Sequence, residues 1–166
     1  SVRVSRRNPR YFELSTGQPL FPIGHNLPTY HVRRWLPDRE LKKMKDGGEN
    51  YNRWWMYSRE LGLEWEHKPG WYRQTAAWRM DFLLRLAEHL GLWYMLCLDT
   101  HQDFRGTRPW EGWPTNPYNA QMGGPCDKPS DFFTNPQARS FYKKRLRYLV
   151  ARYGWSTHIL CWEFGN

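Results

Sequence analysis

The sequence predicts an α/β fold built on a parallel sheet, four buried strands alternating with helices. Three observations predict it. Short apolar, β-prone runs recur along the chain, stretches of helical period lie between them, and the joining segments are long enough for right-handed parallel crossovers. At 166 residues, 40% hydrophobic and 25% charged, the chain fits one ordinary globular domain with a real core and shows no compositional sign of disorder.

Taken in order, Tyr11 to Leu14, a Gly17-containing turn and Pro19 to Phe21 read as a short hairpin. Phe21 to Asn26 reads as the first buried strand, with His25 and Asn26 at its carboxyl end, followed by a loop containing Pro28. A short helix is expected from about Pro37, with Leu41 and Met44 inward and Gly47-Gly48 as its stop. Asn50 to Met56 is the second strand, and it carries Arg53 among large apolar residues. A buried arginine is rare unless paired, so Arg53 is expected to point inward and to serve function. Arg59 to Gln74 has no clean period and reads as a loop. Met80, Leu83, Ala87 and Leu90 recur at helical spacing and Gly91 ends them.

Leu92 to Leu98 is the third strand, closed abruptly by Asp99, Thr100, His101 and Gln102. Asp103 to Ser130 is rich in Pro, Gly, Trp and Asn without periodicity. A structureless connection of that length suggests a functional wall, in which at least one of Trp110, Trp113 and Tyr118 faces a ligand. Thr134 and Gln137 stand at capping-box spacing before a helix whose buried stripe is Tyr142, Leu146, Leu149, Val150 and Tyr153, with Gly154 as its close. Ile159 to Asn166 is the fourth buried strand.

Two architectures share this alternation. A doubly wound sheet predicts a phosphate-cradling glycine loop after the first strand, and Gly24-His25-Asn26-Leu27-Pro28 is no such loop. A closed (β/α)8 TIM barrel predicts polar residues converging at the carboxyl ends of several strands, which His25, Asn26, Arg53, Asp99, His101 and Asn166 supply. A four-stranded parallel unit cannot close alone, so the expectation is the N-terminal half of such a barrel, spanning 21–166 behind a segment and hairpin at 1–20. The remaining, C-terminal half is its expected partner.

The formal charge of +9 raises nucleic acid as a partner, but the basic residues are spread over the N-terminus and the outer faces of helices, as on solvated surfaces, so none is expected. The 11 Trp, 10 Tyr and 8 Phe point instead to a groove lined by rings on which flat sugar faces or bases could stack. Cys97, Cys126 and Cys161 lack any metal-ligand spacing; Cys97 and Cys161 read as buried thiols, and neither metal nor organic cofactor is expected. No run approaches transmembrane length, and the opening Ser1-Val2-Arg3 reads as the middle of a longer protein.

Four motifs together resemble a family. Phe21-Pro22-Ile23-Gly24, Gly48 to Arg53, Leu98-Asp99-Thr100-His101 and Trp162-Glu163-Phe164-Gly165-Asn166 look like the first four strands of clan A retaining glycoside hydrolases. The closest likeness is to family-five cellulases and β-mannanases and secreted bacterial relatives, and it runs from about Asn8 to Asn166. The resemblance implies that Arg53 steadies the nucleophile's charge, His101 lines the subsite of the reacting sugar, and Asn166 binds the sugar 2-hydroxyl. It also implies an acid/base Glu directly after Asn166 and a nucleophile Glu on strand seven, neither of them in this chain, so residues 1–166 alone are expected to be inactive. Glu163 falls too early for the acid/base and is expected to make a structural pairing, with Arg53 the candidate. Asp99, Asp103, Glu111, Asp127 and Asp131 form no singled-out pair and default to surface or loop-capping roles. By the same resemblance the protein is extracellular and acts on a β-linked polysaccharide.

Two other readings stand beside this one. A non-catalytic carbohydrate-binding half-barrel keeps the aromatic groove without the carboxyls, and a basic nucleic-acid-binding domain predicts steeply salt-dependent affinity.

Overall fold

The structure, a computed structural model, describes residues 1–27, 37–56, 61–65, 68–106 and 112–166. Pro28, Trp110 and Glu111 lie outside them, as do parts of the loops they belong to. The described chain opens with a small antiparallel sheet of β1 (Val2–Val4), β2 (Phe12–Leu14) and β3 (Pro19–Leu20), in that order. The hairpin is as expected, turning at Gly17 with φ 88°. The extra strand β1 is held by side chains: Arg3 Nε and Ser5 Oγ donate to Glu13 at 2.9 and 2.8 Å. That pairing turns a basic stretch into strand.

The second sheet contains β4 (Gly24–Asn26), β5 (Tyr51–Trp55), β6 (Trp93–Cys97) and β7 (Ile159–Glu163), all parallel and in sequential order. Helix α1 (Pro37–Asp46) joins the first pair, α2 (Gln74–Leu90) the second, and α3 (Asp131–Thr134) with α4 (Pro136–Tyr153) the third. A doubly wound sheet reverses its strand order at a switch point, whereas a barrel adds each strand beside the last. The sequential order is that of half a (β/α)8 barrel.

Local chemistry explains the helices. Asp38 and Glu40 in the first turn of α1 and Lys43 and Lys45 in the last complement its dipole. Gly91 ends α2 in the left-handed region at φ 66° and donates its N–H back to the final turn. The start of α4 differs from expectation: Asn135, not Thr134, is the cap, its side chain accepting from the N–H groups of Gln137 and Ala138, while Thr134 closes the short α3.

Strand register separates two sides of the sheet. Asn52, Trp54, Tyr94, Leu96 and Trp162 share the side covered by helices, where Met80, Leu83, Leu84 and Ala87 of α2 and Leu149 and Tyr153 of α4 complete the core. Tyr153 Oη donates to the Ala77 carbonyl at 3.1 Å, tying α4 to α2, and Arg152 pairs with Asp81 at 2.7 Å rather than lying on a solvated face. Asn26, Arg53, Met95 and Cys161 share the opposite side.

Several expected burials are corrected. β4 is a short, exposed edge strand, with Phe21 and Ile23 exposed before it; β7 and its Cys161 are half-buried; Val150 points to solvent. Gly24 nevertheless sits tightly, since a Cβ there would lie 1.7 Å from the Tyr51 carbonyl oxygen.

The long connection after β6 is ordered by short 3-10 turns at His101–Phe104, Trp113–Thr115 and Ala120–Met122. Asn116 and Asn119 pin it by donating to the carbonyls of Asp103 and Trp113, both at 2.9 Å. Its rings form a second small core of Trp113, Tyr118, Cys126, Phe132 and Ala138.

Candidate functional site

The polar residues at the carboxyl ends of β5, β6 and β7 meet on the side of the sheet away from the helices. Alternation along β5 sends Asn52 and Trp54 to the core and leaves Arg53 facing out of it. Glu163, paired in register with Cys97, faces the same way. Arg53 reaches across β6 and grips Glu163 with a fork, Nε to Oε2 at 2.7 Å and Nη2 to Oε1 at 2.5 Å. Both side chains are largely shielded, at 16% and 20% exposure, so the pair is stronger than a surface salt bridge. The hydrogen bonds to Glu163 raise the Arg53 pKa above its ordinary value. The Glu163 carboxylate is thereby committed to holding a cation, as expected.

Arg53 Nη2 also donates to Asn166 Oδ1 at 2.7 Å, and Asn166 Nδ2 lies 3.1 Å from His101 Nδ1. The guanidinium can only donate, so Asn166 must present its oxygen to Arg53 and its amide N–H to the imidazole. A neutral His101 then accepts at Nδ1 and carries its proton on Nε2. The main chain repeats the junction: Asn166 N–H donates to the Asp99 carbonyl and His101 N–H to the Asn166 carbonyl, each at 3.1 Å. The Trp55 ring backs both ends, edge-on to His101 at 6.1 Å and 5.6 Å from the Arg53 guanidinium.

Arg53, His101 and Asn166 are thus brought into one hydrogen-bonded chain. Asn26 is aligned with Arg53 in the neighbouring strand. His25 is not part of the group: it pairs in register with Asn52, and its Nδ1 meets Glu49 Oε2 at 2.7 Å. Trp113, expected to face a ligand, is only 7% exposed and serves as core of its own loop, as does Tyr118. Trp110 lies outside the described residues. A cavity of about 580 Å³ adjoins His101 and Asn166 on the helix side of β7, walled by Phe104, Phe132, Phe133 and Phe164. The aromatic side chains that line it are Phe104 of the loop, Phe132 and Phe133 of α3, Tyr142 of α4 and Phe164 just past β7.

Sequence reasoning missed a buried polar cluster beneath this site. Asp99, assigned a surface or capping role, is buried and held by Arg145 and Tyr142 of α4 at 2.6 and 2.8 Å. Tyr142, Arg145 and Leu149 are spaced on one helical face. An arginine on an apolar stripe was the signal that could have found it, as it had singled out Arg53. Asp103 does cap its own turn, with Oδ2 accepting from Thr100 N–H and Oγ1 at 2.8 and 3.1 Å. Burial and the neighbouring Asp99 push the Asp103 carboxyl up to about 7. Asp131 likewise accepts from the N–H groups of Asp127 and Lys128, both at 3.2 Å. Among the described residues no group of three or more His, Cys, Asp or Glu is placed to hold a metal ion, and no helix is long and apolar enough to cross a membrane.

No protein-family model matches the chain. It is similar to mannan endo-1,4-beta-mannosidase 5 of Solanum lycopersicum, 25% identical over 97% of this chain and 41% of that protein. Mannan endo-1,4-beta-mannosidase 1 of Oryza sativa subsp. japonica is 30% identical over 59% of this chain and 24% of that protein. Among solved structures it matches an endo-1,4-beta-mannanase from Rhizomucor miehei with a TM-score of 0.69 at 18% identity, covering 94% of this chain and 46% of that one. A glycoside hydrolase family 5 mannosidase from the same organism gives 0.67 at 17%, covering 99% and 48%. The resemblance to family-five glycoside hydrolases thus holds in sequence and in fold, and the fold is half of their barrel. The chain spans less than half the length of these relatives. The sequence matches are to plant proteins and lend no support to the expected bacterial kinship.

Proposed function

We propose that the protein to which this chain contributes is a glycoside hydrolase that cleaves β-1,4-linked mannan with retention of configuration. The observation that carries the reading is the chain Arg53–Asn166–His101, anchored on Glu163 at the carboxyl ends of three adjacent strands. Names and fold of the relatives support the substrate class.

In this reading Asn166, held by Arg53 with its amide donor fixed, binds the 2-hydroxyl of the reacting sugar, where hydrogen bonds strengthen as oxocarbenium character develops. Arg53, already balanced by Glu163, steadies the negative charge of the nucleophile, and His101 lines the same subsite. A retaining reaction needs two carboxyls about 5–5.5 Å apart. Glu163 is engaged by Arg53, and the resemblance to family-five glycoside hydrolases assigns the pair to residues outside 1–166, an acid/base next after Asn166 and a nucleophile on a later strand. Residues 1–166 alone are therefore proposed to be inactive. By the same reading, an extracellular location, where a polymeric substrate is reached, is part of the proposal.

The test is the natural full-length protein assayed on galactomannan, glucomannan and cellulose, with the anomer of the first product followed by proton NMR. Reducing ends from the mannans, released first as the β-anomer, are expected. Asn166→Ala should lower kcat by about 10²–10³-fold, the usual cost of a donor made for the transition state. A folded protein that releases no reducing ends from any of these glycans would sink the proposal, and binding without cleavage would favour the carbohydrate-binding module.

A further inference from the structure

Asp99 is where β6 hands over to the site. Its main-chain carbonyl accepts from the Asn166 N–H, and two residues later the His101 N–H donates to the Asn166 carbonyl. Both main-chain bonds that set Asn166 against His101 therefore hang from the segment that Asp99 begins. Its carboxylate is clamped from α4 by two donors on one helical face: Arg145 Nη2 to Oδ1 at 2.6 Å and Tyr142 Oη to Oδ2 at 2.8 Å.

Arg145 is itself seated with care. Its Nη1 lies 3.6 Å from Oε2 of Glu64, a side chain only 1% exposed whose Oε1 accepts from the Gly70 N–H at 2.6 Å. Its guanidinium also lies 4.7 Å from the Tyr142 ring centre. Burial works against the Arg145 charge, but Asp99 and Glu64 outweigh it and raise its pKa well above the ordinary value. For packing alone this arrangement is poor. Leu146 and Leu149 beside it join α4 to the core without any cation, and an apolar residue of similar volume generally serves stability as well as a buried ion pair. What the ion cluster adds is a fixed direction for Asp99.

We infer that Arg145 is a positioning residue for the His101–Asn166 pair, acting through Asp99 with Tyr142 as its partner. Its functional consequence rests on the glycosidase reading; its geometry does not. A residue that only held α4 to the sheet would change stability and leave His101 and Asn166 where they are.

The experiment uses the full-length protein labelled with ¹⁵N-histidine and ¹⁵N-asparagine. Tyr142→Phe deletes one hydroxyl and keeps the ring; Arg145→Lys keeps the charge and loses the fork. In molecules that remain folded, Tyr142→Phe should shift the His101 Nδ1 and Asn166 side-chain amide resonances. On polymeric mannan its kcat should fall about tenfold with KM unchanged, the loss expected of one hydrogen bond to a charged group felt at the reacting centre. Arg145→Lys should cost up to about 100-fold in kcat, the scale set by misplacement from a distance. Unmoved resonances in folded Tyr142→Phe, or a kcat per folded molecule equal to wild type, would overturn the inference. Absence of mannan turnover in the wild type counts against the glycosidase reading alone, and the resonances then decide: shifted, the inference stands; unshifted, it falls.

Discussion

Asp103 offers the sharpest test of the energetics. The side chain belongs to a residue only 5% exposed; Oδ2 takes both Thr100 donors, and Oδ1 has no hydrogen-bond partner among the described residues. Burial, then the nearby Asp99, push its carboxyl from the ordinary 3.8 up to about 7. The sign follows from proton counts. Below pH 3.8 both the folded and unfolded chains hold this proton, and the group contributes no pH dependence. Between 3.8 and 7 the unfolded chain releases it while the folded one keeps it, so stability falls as pH rises; above 7 the loss is complete. At 1.36 kcal/mol per pH unit the gap is worth about 4 kcal/mol. Asp103→Asn keeps an oxygen for the Thr100 donors and cannot ionise, so it lacks this slope. Urea unfolding of both proteins between pH 4 and 8 isolates the group, since titrations not coupled to it cancel in the difference. Relative to the variant, wild type should lose about 4 kcal/mol over that range, or about 2 M in urea midpoint for a slope near 2 kcal/mol/M. A difference that stays constant with pH would refute the argument.

Two further outcomes follow from named contacts. Glu163→Gln breaks the fork on Arg53 and strands a largely shielded guanidinium; urea unfolding should show a loss of about 2–3 kcal/mol, and the same stability in the variant would mean the pair carries none. Gly24→Ala drives a Cβ into the Tyr51 carbonyl, so a loss of about 1–3 kcal/mol is expected, with amide exchange accelerating in β4 before β5; uniform exchange would contradict it.

How much of this was legible depended on how local each cause is. α1 and α2 could be read because their stops are glycines and their buried faces repeat within one helix. β5 and β6 could be read because both are apolar and flanked by turns. No periodicity brings residues 53, 101 and 166 together; their convergence was legible only through topology, as polar residues at or near the carboxyl ends of successive parallel strands, and their separate roles came from resemblance. β1 was illegible because Arg3 becomes strand only when Glu13 is opposite it. Trp113 misled for the converse reason: an aromatic-rich, aperiodic segment has the composition of a binding wall and equally that of a loop with its own core. Arg145 was hidden in a helix rich in basic residues, where only its neighbours on the stripe distinguish it from Lys143 and Lys144.

The one-way donation from Arg53 through Asn166 to His101 makes the outer edge of the imidazole a chemical filter. With Nδ1 occupied as acceptor, the neutral ring shows any visitor only an N–H at Nε2. An ether or hydroxyl oxygen can rest there; an ammonium group meets a donor with a donor. At this corner the geometry therefore sets a donor toward any visiting group, and that polarity is decided by an arginine on the adjacent strand β5 that does not itself touch the ring's outer edge.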